Sequence, residues 1–159
     1  MSEELASRRL QRLEATEDIR RLKQRYAALC DSGYPPQELA ALFTEDGVWD
    51  ARPTFGVRRG RRAIAEMFAG TPTDVFSFHC MIDVAIDVED DGLSARGTWR
   101  LLQMATMPLD GEPQAMWLAA MYCDEYRREA DGWRFASVKI DYKVQARHLR
   151  GWADARLQI

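Results

Sequence analysis

The second half of the sequence alternates apolar and polar residues in long runs, and turn signals separate these runs. From residue 75 to 88 every second residue is Phe, Cys, Ile or Val, a pattern that predicts a half-buried β-strand. The segment Asp90-Asp91-Gly92 then predicts a tight hairpin turn. Two later turn signals divide the remainder into further strands, predicted at 93–107, 114–128 and 133–143. A chain with this pattern is constrained to build a meander of long antiparallel strands.

The first half of the sequence has the three- and four-residue spacing of helices. Residues 3–30 contain no Gly or Pro, and Thr16 precedes two acidic residues as a helix N-cap does. We therefore predict a loose leader over 1–15 and an amphipathic helix over 16–30. Shorter elements follow, predicted as helices at 37–43 and 61–68, a strand at 48–51, and a small strand or turn at 56–60.

Helices followed by a strand meander predict the α+β fold class, in which a strongly bent, mostly antiparallel sheet wraps around three N-terminal helices. The 159 residues suffice for a single domain with a substantial core. A conical space remains between a bent sheet and its helices, and such a space suits an apolar ligand. The tail at 144–159, with Leu149, Trp152 and Leu157, is predicted to cover an edge or reach a neighbouring subunit.

Composition and charge narrow the function classes. A net charge of −3 gives no basic field for nucleic acid, no apolar run is long enough to span a membrane, and the acidic N-terminus is unlike a signal peptide. We expect a soluble, cytoplasmic protein that binds a small apolar molecule, without nucleic-acid or membrane partners. Cys30, Cys80 and Cys123 are widely spaced among apolar residues and are predicted to be reduced core thiols.

The sequence carries no metal or cofactor motif. His79 and His148 are 69 positions apart, and no zinc spacing, Walker loop or dinucleotide fingerprint occurs. We predict no metal and no cofactor, which leaves general acid and base chemistry by His, Asp and Tyr side chains. A basic cluster is interpreted as a solvated helix start rather than an anion site; it comprises Arg58, Arg59, Arg61 and Arg62.

Several short segments together resemble one known family. They are IRRLKQRY at 19–26 with Asp31, LAALFTEDGVW at 39–49, GRRAI at 60–64, SFH at 77–79, GTW at 97–99, DEYRR at 124–128 and DGWRF at 131–135. Over roughly 16–143 this set resembles the SnoaL-like branch of the nuclear transport factor 2-like superfamily, which also holds scytalone dehydratase and ketosteroid isomerase. The resemblance implies a cone-shaped α+β barrel. It also implies a homo-oligomer, a dimer or trimer, formed through the outer face of the sheet.

Within that branch, the bile acid 7α-dehydratases and the hexachlorocyclohexane dehydrochlorinase are similar in pairing an Asp that ends the first helix with a His on the first long strand. Asp31 and His79 match this pair, and Tyr26 matches a Tyr of the dehydratases five residues before the Asp. The resemblance implies a lyase or isomerase that removes a proton from a bulky apolar substrate such as a steroid, polyketide or aromatic catabolite. His79 would be the base, Asp31 would fix its tautomer, and Tyr26 would donate a hydrogen bond.

Two positions depart from that pattern. Those enzymes carry a second acid and an Arg, and counting along this sequence without gaps places these two residues at Leu102 and Val138. If a bulge shifts the register, Gln103, Lys139 or Arg100 would take their place. A second hypothesis is therefore a non-catalytic ligand-binding or assembly module, similar to the small subunits of ring-hydroxylating dioxygenases.

Each candidate site residue also has a purely structural interpretation. Strict alternation places His79 on the polar side of its strand, away from Phe78 and Cys80, unless a β-bulge intervenes. Asp31 suits a helix end, and Tyr26 suits a helix core. The candidate pocket walls, which equally suit plain packing, are Trp49, Phe55, Phe68, Trp99, Met104, Trp117 and Met121.

Overall fold

Six strands form one open sheet, and three helices pack against one of its faces. The computed structural model describes residues 3–72 and 76–148. Along the chain the elements are α1 (Glu3–Asp31), α2 (Pro36–Ala41), β1 (Phe43–Ala51), β2 (Gly56–Arg59), α3 (Arg61–Ala69), β3 (Ser77–Val88), β4 (Ser94–Leu109), β5 (Glu112–Glu129) and β6 (Gly132–Arg147). Their order across the sheet is β2-β1-β6-β5-β4-β3, with β1 and β6 parallel and the other neighbours antiparallel. In the described ranges, no helix combines the length and the apolar character needed to cross a membrane.

Helix α1 is continuous from Glu3 to Asp31, so the break expected near residue 15 does not occur. The expected cap is absent because the Thr16 hydroxyl donates back to the carbonyl of Arg12 within the helix. Arg12 also forms ion pairs with acidic residues at the end of β3 and in the turn after it. Without Gly or Pro in this stretch, nothing in the local sequence stops the helix.

Several strands are longer than predicted. β1 begins at Phe43, and helix α2 therefore ends at Ala41, because the backbone around Phe43 pairs with Phe135 of β6. β6 continues to Arg147, so residues 144–147 of the predicted tail belong to a strand. The tail residues Leu149, Trp152 and Leu157 lie outside the described residues.

The core lies between the helices and the inward-facing side chains of the sheet, which confirms the predicted α+β class. Aromatic rings from three elements meet at its centre, where Tyr26, Phe43 and Phe135 have ring centroids 5.3 to 6.4 Å apart. Their tilted and edge-to-face arrangements are those that aromatic quadrupoles favour. Along β4 and β5, buried and exposed residues alternate over most of each strand, so one face of the sheet is committed to this core.

A β-bulge in β3 decides which side chains of that strand face the core. Between residues 82 and 85, β3 has two residues where the facing part of β4 has one. Asp83 takes the left-handed conformation there, with φ of +52°. Before the bulge the odd-numbered residues 77–81 face inward, and after it the even-numbered residues 84–88 do. The bulge therefore places His79 on the same face as the apolar end of its strand.

One ion pair is completely enclosed by the core. The Lys23 ammonium of α1 lies 2.7 Å from Oδ2 of Asp124 on β5, and neither side chain is exposed. The Tyr126 hydroxyl donates to the same carboxylate oxygen at 3.0 Å, and Nζ of Lys23 lies 3.5 Å from the centroid of the Tyr122 ring. Burial lowers the pKa of Lys23 and raises the pKa of Asp124, while their mutual attraction opposes both shifts.

We predict that Lys23→Met lowers the free energy of unfolding by about 3–5 kcal/mol, because it leaves the Asp124 carboxylate buried without its cation. Equilibrium urea unfolding measures this change. The double variant Lys23→Met/Asp124→Asn should recover part of the loss, since no charge is then left in the core. As a matched control, Lys143→Met removes an exposed partner of Asp141 and should change stability by less than about 1 kcal/mol. Equal effects of the two Met substitutions would contradict the prediction.

Candidate active site

A cavity of about 490 Å³ lies between the helices and the inner face of the sheet. Side chains from α1, α3 and all six strands line it, and most of them are apolar or aromatic. This volume accommodates a drug-sized molecule. Three of the predicted pocket residues line the cavity: Trp49, Phe55 and Phe68.

The other four predicted pocket residues do not line the cavity, and strand alternation explains three of them. Met104, Trp117 and Met121 lie on the opposite face of the sheet. Their neighbours Gln103, Leu118 and Tyr122, each one position away in the sequence, do line the cavity. Trp99 does face inward, but it packs in the core and donates its indole N–H to the Tyr126 hydroxyl at 2.9 Å.

Asp31 and His79 form a close pair at this cavity. Asp31 is the last residue of α1, and its Oδ1 lies 2.6 Å from Nδ1 of His79. Both carboxylate oxygens also accept the backbone N–H of His79, at 3.0 Å each. The His79 side chain is 6% exposed and lines the cavity, while that of Asp31 is 24% exposed. An ionised carboxylate can only accept, so Nδ1 carries the proton and the Nε2 lone pair stays available.

The Ser77 hydroxyl joins the dyad to two further polar side chains of the cavity. Nε2 of Gln103 donates to Ser77 Oγ at 3.0 Å, and Oγ lies 3.2 Å from Nδ1 of His79 and 3.3 Å from the Tyr34 hydroxyl. The Gln103 and His79 atoms are both donors, so among these three partners only Tyr34 can accept the Ser77 proton. In that arrangement the Tyr34 hydroxyl accepts from Ser77 and does not donate to it.

Tyr26 also lines the cavity, and its hydroxyl accepts the indole N–H of Trp49 at 3.1 Å. Because indole N–H is a donor only, the Tyr26 hydrogen is directed to some other acceptor. Burial raises the pKa of both Tyr26 and Tyr34 above the usual tyrosine value, which keeps both hydroxyls protonated. Tyr34 was missed in the sequence because it lies in a turn after α1, and nothing in the local pattern directs it to His79.

The structure shows which of the positions that depart from the dehydratase pattern face the cavity. Leu102 is on the outer face of β4 and Val138 is fully buried in the core, so neither presents polar chemistry to the cavity. Arg100 pairs with Asp83 at the surface, and Lys139 is exposed. Gln103 does line the cavity, without any bulge in β4, because it is the direct cross-strand neighbour of His79.

Among the described residues, the cavity has neither an ionised thiol nor a group of metal ligands. Cys30 lines the cavity and is buried, and burial raises its pKa well above the usual thiol value, so it remains protonated. Cys80 is partly exposed and Cys123 exposed, so the core-thiol prediction is wrong for Cys123. Across residues 3–72 and 76–148, no three His, Cys, Asp or Glu side chains are grouped as metal ligands.

Residues 11–139 match the SnoaL-like domain family, a stretch that covers most of the chain. The protein belongs to this family. Membership and architecture together confirm the expected place in the nuclear transport factor 2-like superfamily. Among curated proteins, none has a significantly similar sequence.

Several solved structures have the same fold. An NTF2-like protein with a cystatin-like fold from Novosphingobium aromaticivorans is 27% identical, with 98% of this chain and 96% of that chain covered and a TM-score of 0.67. A candidate scytalone dehydratase from the same organism is 25% identical, with 88% and 92% covered and a TM-score of 0.75. A hexachlorocyclohexane dehydrochlorinase is 18% identical, with 87% and 91% covered and a TM-score of 0.75, which shows likeness of fold alone.

Proposed function

We propose that this protein is a cofactor-independent lyase or isomerase in which His79 removes a proton from a bulky, largely apolar substrate. The 2.6 Å contact between Asp31 and a His79 ring that lines the cavity is the observation that carries the proposal. The similar structure named as a candidate scytalone dehydratase supports the reaction class. Steroids, polyketides and aromatic catabolites have the size and apolar character that the cavity walls favour.

In the proposed reaction, Nε2 of His79 takes a proton from a carbon next to a carbonyl or next to a carbon that bears a leaving group. The electron pair of the broken C–H bond becomes a new C=C bond as the leaving group departs, or an enolate that is reprotonated elsewhere. Asp31 stabilises the imidazolium formed, as a carboxylate on the second ring nitrogen does. Tyr26 and Tyr34 donate hydrogen bonds to the oxygen that gains charge.

His79→Ala and Asp31→Asn should each lower turnover by at least about a hundredfold, because one removes the base and the other its charge partner. A suitable first substrate is 5-nitrobenzisoxazole, an apolar bicyclic compound whose base-promoted ring opening releases a coloured phenolate. The control is His148→Ala, which changes the other histidine, close to Trp117 on the far side of the sheet. If either dyad variant keeps wild-type turnover while folded, or if His148→Ala loses as much, the dyad is refuted.

Tyr26→Phe and Tyr34→Phe should each lower kcat by about tenfold on the same substrate, because each removes a donor to the developing phenolate oxygen. KM should change little, since the ring that fills the cavity wall is retained. Tyr142→Phe serves as the control, because it deletes a hydroxyl from another cavity-lining tyrosine on β6. Steady-state kinetics separates the two constants. A rise in KM with unchanged kcat would assign these tyrosines to binding instead.

We also propose that copies of the chain associate through the outer face of the sheet as a dimer or trimer. Half-exposed apolar side chains lie side by side there, with Phe78 at 48%, Ile82 at 50% and Leu102 at 43% exposure. Met104, Trp117 and Met121 continue the same surface across β4 and β5. A continuous apolar face of this kind favours association over exposure to water.

Leu102→Glu should convert the proposed oligomer to a monomer, because it buries a charge in that interface. Light scattering after size-exclusion chromatography gives the mass directly. Leu93→Glu, the same change at an exposed leucine in the β3–β4 turn, should leave the mass unaltered. A monomeric wild type would refute self-association. Recovery of a stable complex with a large oxygenase subunit would favour the assembly-module hypothesis.

A further inference from the structure

Strand pairing directs the side chain of one arginine of the basic cluster, Arg58, toward the cavity. Arg58 of β2 is directly opposite Trp49 of β1 in the register. Residues directly opposite each other on neighbouring strands project from the same face of a sheet. The Trp49 ring lines the cavity, and the partly buried Arg58 side chain lines it as well. Arg59, the next residue, projects to the exposed side.

The remaining arginines of the cluster behave as the sequence predicted for a helix start. Arg61 donates to the Phe43 carbonyl and lies 3.3 Å from Glu45, while Arg62 is an exposed partner of Glu66. Arg58 differs from them in its surroundings. One of its guanidinium nitrogens donates to the neighbouring carbonyl of Val57, and no carboxylate of the described residues pairs with it.

The cavity therefore has a distinct distribution of charge. Apart from the titratable His79, Arg58 is the one ionic side chain that lines it within the described ranges, and no Asp or Glu lines it. β2 and β3 are the two edge strands of the sheet, so Arg58 and His79 approach the cavity from opposite sheet edges. A partly desolvated guanidinium without a counter-charge favours an anionic ligand group, and its planar fork fits a carboxylate.

We propose that Arg58 binds a carboxylate on an otherwise apolar substrate and holds that end on the β1–β2 side of the cavity. The inference rests on the proposed function only in using the same cavity. It narrows the small apolar molecule expected from the sequence to an apolar molecule that carries one carboxylate. Phe55, partly exposed and in edge-to-face contact with Tyr142, lines the same cavity and supplies apolar surface for the rest of the ligand.

A matched pair of compounds tests the proposal by binding alone. Isothermal titration calorimetry at neutral pH compares 2-naphthoate with 2-naphthamide, which share one ring system and differ in charge. The wild type should bind the carboxylate about tenfold tighter or more, as expected for charge-assisted hydrogen bonds. Arg58→Met should remove this preference and leave the affinity for the amide within about twofold, because Met retains the apolar stem.

The control Arg59→Met makes the same change one residue away, on the exposed side, and should keep the preference. Three results would overturn the proposal: no preference for the carboxylate in the wild type, a preference that survives Arg58→Met, or an equal loss in Arg59→Met. Absence of measurable binding by either compound would overturn it as well. The catalytic proposal is tested by turnover and this one by binding, so a failure of one and a failure of the other give different results.

Discussion

The buried Lys23–Asp124 pair is the constraint on which the position of the site depends. A charge enclosed in an apolar core is tolerated only opposite its partner, so helix α1 has one rotation and one axial position relative to β5. Tyr26 and Cys30 follow Lys23 at helical spacing and therefore face the same interior, where both line the cavity. Asp31 then ends the helix next to β3. The ion pair thus fixes the placement of Tyr26 and Asp31, two of the four proposed catalytic side chains.

The bulge in β3 allows one face of a single strand to supply polar side chains to the site and apolar side chains to the core. Without the extra residue, alternation would put His79 on the face opposite the core-facing residues 84–88. Asp83 adopts a left-handed conformation within the bulge, and its carboxylate accepts a hydrogen bond from Arg100 at 2.6 Å. The backbone N–H and the imidazole of His79 then both contact Asp31 from a single position in the strand.

The sequence predicts those features that depend on local pattern, and it misses those that depend on register. Alternation and turn signals were sufficient for the four long strands. The family resemblance selected Asp31 and His79, which are in contact in the structure, and Tyr26, which lines the same cavity as His79. Met104 was misassigned to the pocket because hydrophobicity does not reveal which face of a strand is inside. Tyr34 and Ser77 were missed because their contacts join a turn after α1 to a distant strand.

Arg58 shows the same limit of prediction from the sequence. In the sequence it is one of four arginines with equal claims to be solvated, and only its pairing with Trp49 distinguishes it. That pairing sets a cation on one sheet edge, while Ser77 and His79 set polar and basic groups on the other. A substrate with an acidic end and a reactive end would therefore enter in a single orientation. Its C–H bond would then meet His79 because the distal group has already been fixed, which is how binding away from the reaction centre contributes to rate.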